Sequence, residues 1–425
     1  MKLRTHNPGH RVLILSVSAG TGHIRAGEAL AKAAAAHPAT GEVLHVDALR
    51  YTNKMFRRFY GQFYIDLVKS APVLLGWFYD SQDEPWKTEK MRLMLDRMNT
   101  GPLVRQIKKF KPDITICTHF LPAEILSHLI KHGKVDTQLS ITITDYYAHA
   151  MWLSRLIHHY FVATEESRVQ LENIGFPPES ITVSGIPIDP VFCETKERAA
   201  LRAKQGLRND APMLLVSAGA LGVSSAERIV EVRSDLTMPV QIVVICGKNE
   251  KLRQSVLDQL SQRADAAAHL DFKVLGYTTE MDEWMKSADL YIGKPGGLTT
   301  AEAMSCGLPM VIYQPIPGQE ERNSDFLLEN GAAVKCNQLA TMAYKVDLLL
   351  KNPERMAKMR RRALELSHPD SAKRIIQKLI DEFYTEAVTI PQESSGKKAK
   401  EKLRLLGKKL LLSGDEPASV FKSPF

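Results

Sequence analysis

No uninterrupted apolar run in the 425 residues reaches the ~18 residues of a membrane-spanning helix. The opening MKLRTHNPGH lacks the apolar core of a secretion signal. The expectation is a cytoplasmic chain that can lie on the inner face of the cell membrane without crossing it. Cysteine is scarce: Cys117, Cys193, Cys246, Cys306 and Cys336 stand singly, with no Cys-x-x-Cys. That odd, scattered set excludes a disulfide framework and a structural zinc site and suits a reducing compartment. There is no Asp-x-Asp, so no dedicated metal motif, and no cofactor is expected. No glycine loop continues into Gly-Lys-Ser/Thr, which removes a P-loop NTPase.

What is present is an ordinary globular composition, 44% hydrophobic, with a net charge of +8. The charge points to an anionic partner. Nucleic acid fits poorly, because no aromatic-basic RNA motif accompanies the charge and half of it sits in residues 393–425.

Strands and helices alternate twice along the chain. RVLILSVSAG (11–20), GEVLHVDAL (41–49), DITICTHF (113–120), QLSITITDYY (138–147), IHHYFVAT (157–164) and ITVSGIPI (181–188) read as buried strands. After IDPVF (188–192) the pattern restarts with PMLLVSAGA (212–220), VQIVVICG (240–247), FKVLGY (272–277), ADLYIGKPGG (288–297) and LPMVIYQ (308–314). This is an α/β chain of two Rossmann-like domains facing a cleft, over 1–190 and 191–390, with the last helix crossing back. Residues 391–425 form a basic tail. Ligands of such sheets bind beyond the carboxyl ends of the strands, where the unusual loops fall.

In the first half, SAGTGHIRAG (18–27) follows a strand. Gly20 and Gly22 give a Gly-x-Gly turn, but Arg25 stands at the third glycine of a dinucleotide fingerprint and the His23 ring crowds the pyrophosphate position, so a nicotinamide cofactor is disfavoured. In the second half, GKPGGLTTAEA (293–303) places Gly296, Gly297 and Thr299 at a helix start, where free N–H groups and the helix dipole suit a diphosphate. Glu302 falls in the first turn, placed for a ribose diol; dipole stabilisation of the helix is the plain alternative. Gly219 lies in a second small-residue loop, VSAGALG (216–222). In PIPGQEERN (315–323), Gln319, Glu320 and Asn323 combine amides with a carboxylate, the groups that recognise sugar hydroxyls; a capped surface loop is the alternative.

Two segments stand outside the repeat. Residues 51–98 hold eight of the 26 Phe and Tyr residues and two of the four Trp, as covering helices or as an aromatic surface for lipid headgroups. The tail 393–425 carries eight basic and four acidic residues, and KKAKEKLRLLGKKLLL (397–412) puts Ala399, Leu403, Leu406 and Leu410 on one helical face. It reads as a solvated tail or a helix on an anionic membrane surface.

Five stretches together carry a resemblance: Gly20–His23, ITDYYAHAMW (143–152), SGIPIDPVF (184–192), GKPGGLTTAEA (293–303) and PGQEERN (317–323). Over roughly residues 10–385 the chain resembles lipid-directed glycosyltransferases of the monogalactosyldiacylglycerol synthase and processive diacylglycerol glucosyltransferase type. It is similar, more distantly, to the peptidoglycan N-acetylglucosaminyl transferase. The resemblance implies a GT-B fold, a UDP-hexose donor on the second half and a diacylglycerol-type acceptor on the first. By it, His23 is the base near the acceptor hydroxyl, Glu302 the ribose acid, and Gln319, Glu320 and Asn323 the sugar loop; the glycines, Gly22 included, let backbone approach the donor. Asp145 and His119, at strand ends, can share or replace the base role, and a purely structural His23 stays open. A UDP-sugar epimerase of the same fold and a non-catalytic membrane-binding relative are the competing functions.

Overall fold

Runs of Val, Ile and Leu build two mostly parallel sheets among the residues that the computed structural model describes, 2–4, 9–18, 20–52, 80–81, 83–85, 101–219, 235–262, 270–383 and 386–390. The first comprises β1 (Lys2–Arg4), β2 (His10–Ser16), β3 (Thr40–Asp47), β4 (Ile114–Cys117), β5 (Gln138–Thr142), β6 (His159–Val162) and β7 (Ile181–Val183), in spatial order β1-β3-β2-β4-β5-β6-β7. Only β1 runs antiparallel to its neighbour. The second comprises β8 (Met213–Ser217), β9 (Val240–Ile245), β10 (Leu270–Leu275), β11 (Leu290–Gly293), β12 (Met310–Tyr313) and β13 (Ala333–Cys336), in the order β10-β9-β8-β11-β12-β13, all parallel.

The helices between strands are α1 (Gly22–Ala36), α2 (Gly101–Phe110), α3 (Phe120–Lys131) and α4 (Glu165–Ile174) in the first half. The second half has α5 (Arg198–Lys204), α6 (Glu250–Gln262), α7 (Met281–Ser287), α8 (Gly297–Ser305), α9 (Gln319–Glu329), α10 (Met342–Leu350), α11 (Pro353–Leu366) and α12 (Ser371–Asp381). Small residues set the spacing of α1. A Cβ on Gly27 would stand 2.2 Å from Ser16 Oγ, so only glycine lets this helix lie so close to β2. Ile375, Ile376 and Leu379 of α12 share a core with Val12, Ile14, Ala29 and Leu30, so the chain ends its second half packed on the first.

Both sheets belong to one unit, Met1–Val388; Thr389–Phe425 forms another. Within the first unit the loops beyond the strand carboxyl ends meet. One apolar cluster includes Ala26 and Tyr146 from the first half and Leu298 and Ala301 from the second, and the Tyr146 ring stacks on Phe326 with centroids 4.5 Å apart. Strands β1 and β13 were not anticipated; both are short edge strands, and β13, AVKC, carries a lysine in place of a clean apolar run. Most of segment 51–98, residues 220–222 of the VSAGALG loop and the tail 393–425 lie outside the described residues. Among those described, no helix is long and apolar enough to cross a membrane.

Candidate active site

The turn between β2 and α1 presents His23 in the first helical turn, and Thr118 at the end of β4 holds it from two sides. The Thr118 hydroxyl donates to the His23 carbonyl (2.9 Å), and the Thr118 carbonyl lies 2.9 Å from His23 Nδ1. A carbonyl can only accept, so Nδ1 carries the proton; Thr144 Oγ1, also 2.9 Å away, shares it. The Nε2 lone pair is thereby left available, with no protein hydrogen-bond partner among the described residues. Behind Thr118 the direction of donation continues: His45 Nε2–H donates to Ser16 Oγ and Ser16 to Thr118 Oγ1, each over 2.8 Å. Burial lowers the His23 pKa to about 4 against the raising effect of the Thr118 bond, so the ring is neutral at physiological pH. His119 meets it edge-on at 4.7 Å, and Trp152 lies 6.1 Å away.

Across the junction, α8 begins at Gly296–Gly297 with no side-chain cap on its first turn. It points at the end of β5: a Cβ on Gly297 would stand 2.1 Å from the Thr144 carbonyl oxygen. Thr144 thus touches both the imidazole and the start of α8. Thr299 is partly exposed in that first turn, while the Thr300 hydroxyl beside it is buried without a hydrogen-bond partner among the described residues. Glu302 is 1% exposed and bonded to Arg25 of α1 at 2.6 Å. Burial pushes its carboxyl up to about 7, with Arg25 opposing.

The start of α9 faces the same junction. Gln319 Nε2 donates to Asp145 Oδ1 over 2.6 Å. Asn323 accepts from the Tyr146 amide (3.0 Å) and donates to the Pro295 carbonyl (3.1 Å). Glu320 accepts from the Ile316 amide at 2.6 Å; burial raises its pKa, with Lys294 opposing. Burial also raises Asp145 to about 6, against donation from Gln319, Trp152 and Asn323.

Residues 23–188 match the family model described as monogalactosyldiacylglycerol (MGDG) synthase, and residues 197–366 the model described as glycosyl transferases group 1. A processive diacylglycerol beta-glucosyltransferase of Bacillus pumilus is 29% identical over 376 residues, 88% of this chain and 96% of that relative. The chain is a glycosyltransferase of GT-B architecture. MurG of Acinetobacter baumannii superposes with a TM-score of 0.56 at 20% identity, covering 88% of this chain and all of that one. Anabaena Alr3699/HepE in complex with UDP-glucose superposes at 0.52 with 13% identity, again over 88% and 100%.

In this glycosyltransferase the expected residues fall into three groups. His23, Gly22, Gly296, Gly297, Thr299, Glu302, Gln319 and Glu320 gather at the junction of the halves; Gly22 lies against Leu298, its Cβ position 3.8 Å from the leucine Cβ. Gly219 stands at the end of β8 in the left-handed region, its amide donating to Ser217 Oγ. The structure adds detail to four of them. Glu302 is the sixth residue of α8, beyond the first turn, so the helix dipole is not its partner. His119 caps α3: its Nδ1 accepts from the Leu121 amide, which places the neutral ring's proton on Nε2, and burial holds its pKa well below the ordinary value. Asp145 and the fully buried Asn323 brace the junction, Asp145 orienting Gln319 and Asn323 tying two backbones. Arg25, Thr118 and Thr144 were missed. The two threonines directly precede His119 and Asp145, so their strand-end position was the available signal.

Proposed function

We propose that the glycosyltransferase moves a hexose from a UDP-sugar to a hydroxyl of a diacylglycerol-type lipid, with inversion, at an anionic membrane surface on the inner face of the cell membrane. The observation that carries the chemistry is the His23 tautomer: Nδ1–H anchored on Thr118, Nε2 free to take a proton, beside the uncapped start of α8. Nε2 removes the acceptor proton as the hydroxyl oxygen bonds to the anomeric carbon. The bond from that carbon to the diphosphate oxygen breaks on the opposite face, and the departing UDP is stabilised by N–H groups at Gly297–Thr299. An incoming diphosphate adds negative charge near the imidazole and raises its low pKa toward a more effective base. Glu302 accepts from the ribose, and Gln319 and Glu320 address the sugar. No metal is assigned a part. The lipid acceptor is supported by the names of the relatives, and the UDP-sugar by the fold's solved complexes.

The test is incubation with labelled UDP-glucose, UDP-galactose and UDP-N-acetylglucosamine, each with and without diacylglycerol vesicles. Label moving to lipid only when vesicles are present supports the reading. Conversion of the free UDP-sugar without acceptor supports an epimerase, and no turnover with vesicle binding intact supports a non-catalytic relative.

A further inference from the structure

Arg25 lies two residues beyond His23 on α1, yet its charge is directed away from the imidazole and across the junction. Its guanidinium bonds Glu302 Oε1 at 2.6 Å and sits 5.7 Å from the Phe192 ring of the segment linking the halves. Exposure differs sharply: the Arg25 side chain is 36% exposed and that of Glu302 2%. Asp189 of the linking segment and Asp282 of α7 add negative charge near Glu302, and Glu302 in turn acts on the Tyr291 phenol of β11 and the Cys306 thiol that follows α8. Asp282 is paired in turn with Lys196 and lies 3.8 Å from Lys286, which also acts on Cys306. Asp189 is itself paired with Lys32, one further turn-pair along α1. Glu302 is therefore a buried carboxyl with acids nearby, and among the described residues its direct ion-pair partner, Arg25, comes from the other half.

We propose that Arg25 is a positioning residue for sugar transfer: from the helix that bears His23, it favours the carboxylate of Glu302 and holds it aimed for the donor ribose, and so fixes the donor relative to the base. The proposal rests on Glu302 being the ribose acid. A carboxylate has about four lone-pair sites, so the bond to Arg25 leaves room for a diol. Charge-assisted hydrogen bonds are roughly twice as strong as neutral ones, so a protonated Glu302 holds the ribose more weakly. Without Arg25, burial and the neighbouring acids favour the proton on Glu302. The effect reverses in alkali, where the carboxyl ionises again. The link to α1 also gives a kinetic signature, because loosening it shifts the base relative to a fully bound donor.

The experiment measures UDP binding by calorimetry from acid to alkaline pH for the wild type, Arg25→Gln, Arg25→Lys and Glu302→Gln, with turnover at saturating UDP-sugar. Arg25→Gln is expected to weaken UDP roughly tenfold near neutrality, to recover much of that loss in alkali, and to lower turnover even at saturation. Arg25→Lys is expected to rescue both. Melting curves confirm that each variant folds, and the lysine variant preserves the test if the glutamine variant does not: a lysine protein with wild-type folding but with the binding and turnover losses of charge removal contradicts the proposal. If Glu302→Gln weakens UDP while Arg25→Gln leaves affinity and its pH profile unchanged, Arg25 has no positioning role. Tighter UDP binding by Arg25→Gln overturns it too, since Arg25 would then compete with the ribose. If Glu302→Gln leaves UDP untouched, the ribose assignment fails and the Arg25 proposal falls with it.

Discussion

The two sides of the junction meet the same physical condition with opposite chemistry. The first half offers imidazoles, His23 and His119, whose pKa values burial lowers. The second offers carboxyls, Glu302 and Glu320, whose pKa values burial raises. In both cases the low dielectric favours the neutral form. For the base side this is helpful, because a neutral imidazole is the form that accepts a proton. For the donor side it is a handicap, because an ionised carboxylate binds a diol more strongly. The structure compensates from outside: Arg25 faces Glu302, and Lys294 opposes the shift of Glu320. The base is held by backbone and hydroxyl groups alone; the donor side depends on charges.

That contrast breaks most visibly at His23. His23→Ala is expected to lower turnover by about 10²–10⁴, the range for a lost general base, while leaving UDP binding nearly intact. Parallel rate and calorimetric measurements check it; near-normal turnover at saturating donor and lipid removes His23 from the mechanism. Next in size, Glu302→Ala is expected to weaken UDP and UDP-sugar alike by about 1.5–3 kcal/mol, because both carry the ribose. Gln319→Ala is expected to weaken only the UDP-sugar, or to change which sugar is used. Equal loss of UDP affinity in the two variants erases the proposed division between ribose and sugar contacts.

The donor side also leaves a mark on stability. Burial pushes the folded Glu302 carboxyl up to about 7 from its ordinary 4.5. Its protonation therefore contributes stability that is fully present below the unfolded value and is lost as pH rises through the folded one. The shift corresponds to about 3 kcal/mol. Glu302→Gln removes that dependence, so the stability of the wild type relative to the variant should fall by roughly this amount between about pH 4.5 and about pH 8. Denaturant titrations at both ends measure it, and a pH-independent difference contradicts the buried, raised carboxyl. The smallest effect is expected far from the junction: deleting residues 393–425 should weaken binding to anionic vesicles, each basic residue contributing ~1 kcal/mol at most, and should reduce the salt sensitivity of binding. Equal partitioning of the two proteins makes the tail a bystander.

Much of this architecture was legible because parallel strands buried on both faces are written as continuous apolar runs. VLILS and ITIC, and in the second half MLLVS and VQIVVI, became central strands with small trimming. Loops at their carboxyl ends then drew attention to His23, Glu302 and Gln319. Edge strands escaped because β13 is short and carries Lys335. The partnerships escaped for a different reason. Arg25 and Glu302 stand 277 positions apart in the sequence, and nothing in local spacing says that one charge faces the other. The backbone partners of Asn323 were equally hidden: an amide near a carboxylate suits hydroxyls, and the same amide also suits the two backbones it ties here. His119 looked like a base from its strand-end position; its role as a helix cap depends on the Leu121 amide that α3 presents to it.

The most direct test of the central claim is the anomeric configuration of the lipid product. Attack by a hydroxyl deprotonated at His23 Nε2, on the face opposite UDP, displaces the nucleotide in one step. Starting from an α-linked UDP-hexose, proton NMR of the glycolipid formed on diacylglycerol vesicles should show the β-anomer alone. An α-linked product would contradict single displacement by a His23-activated acceptor.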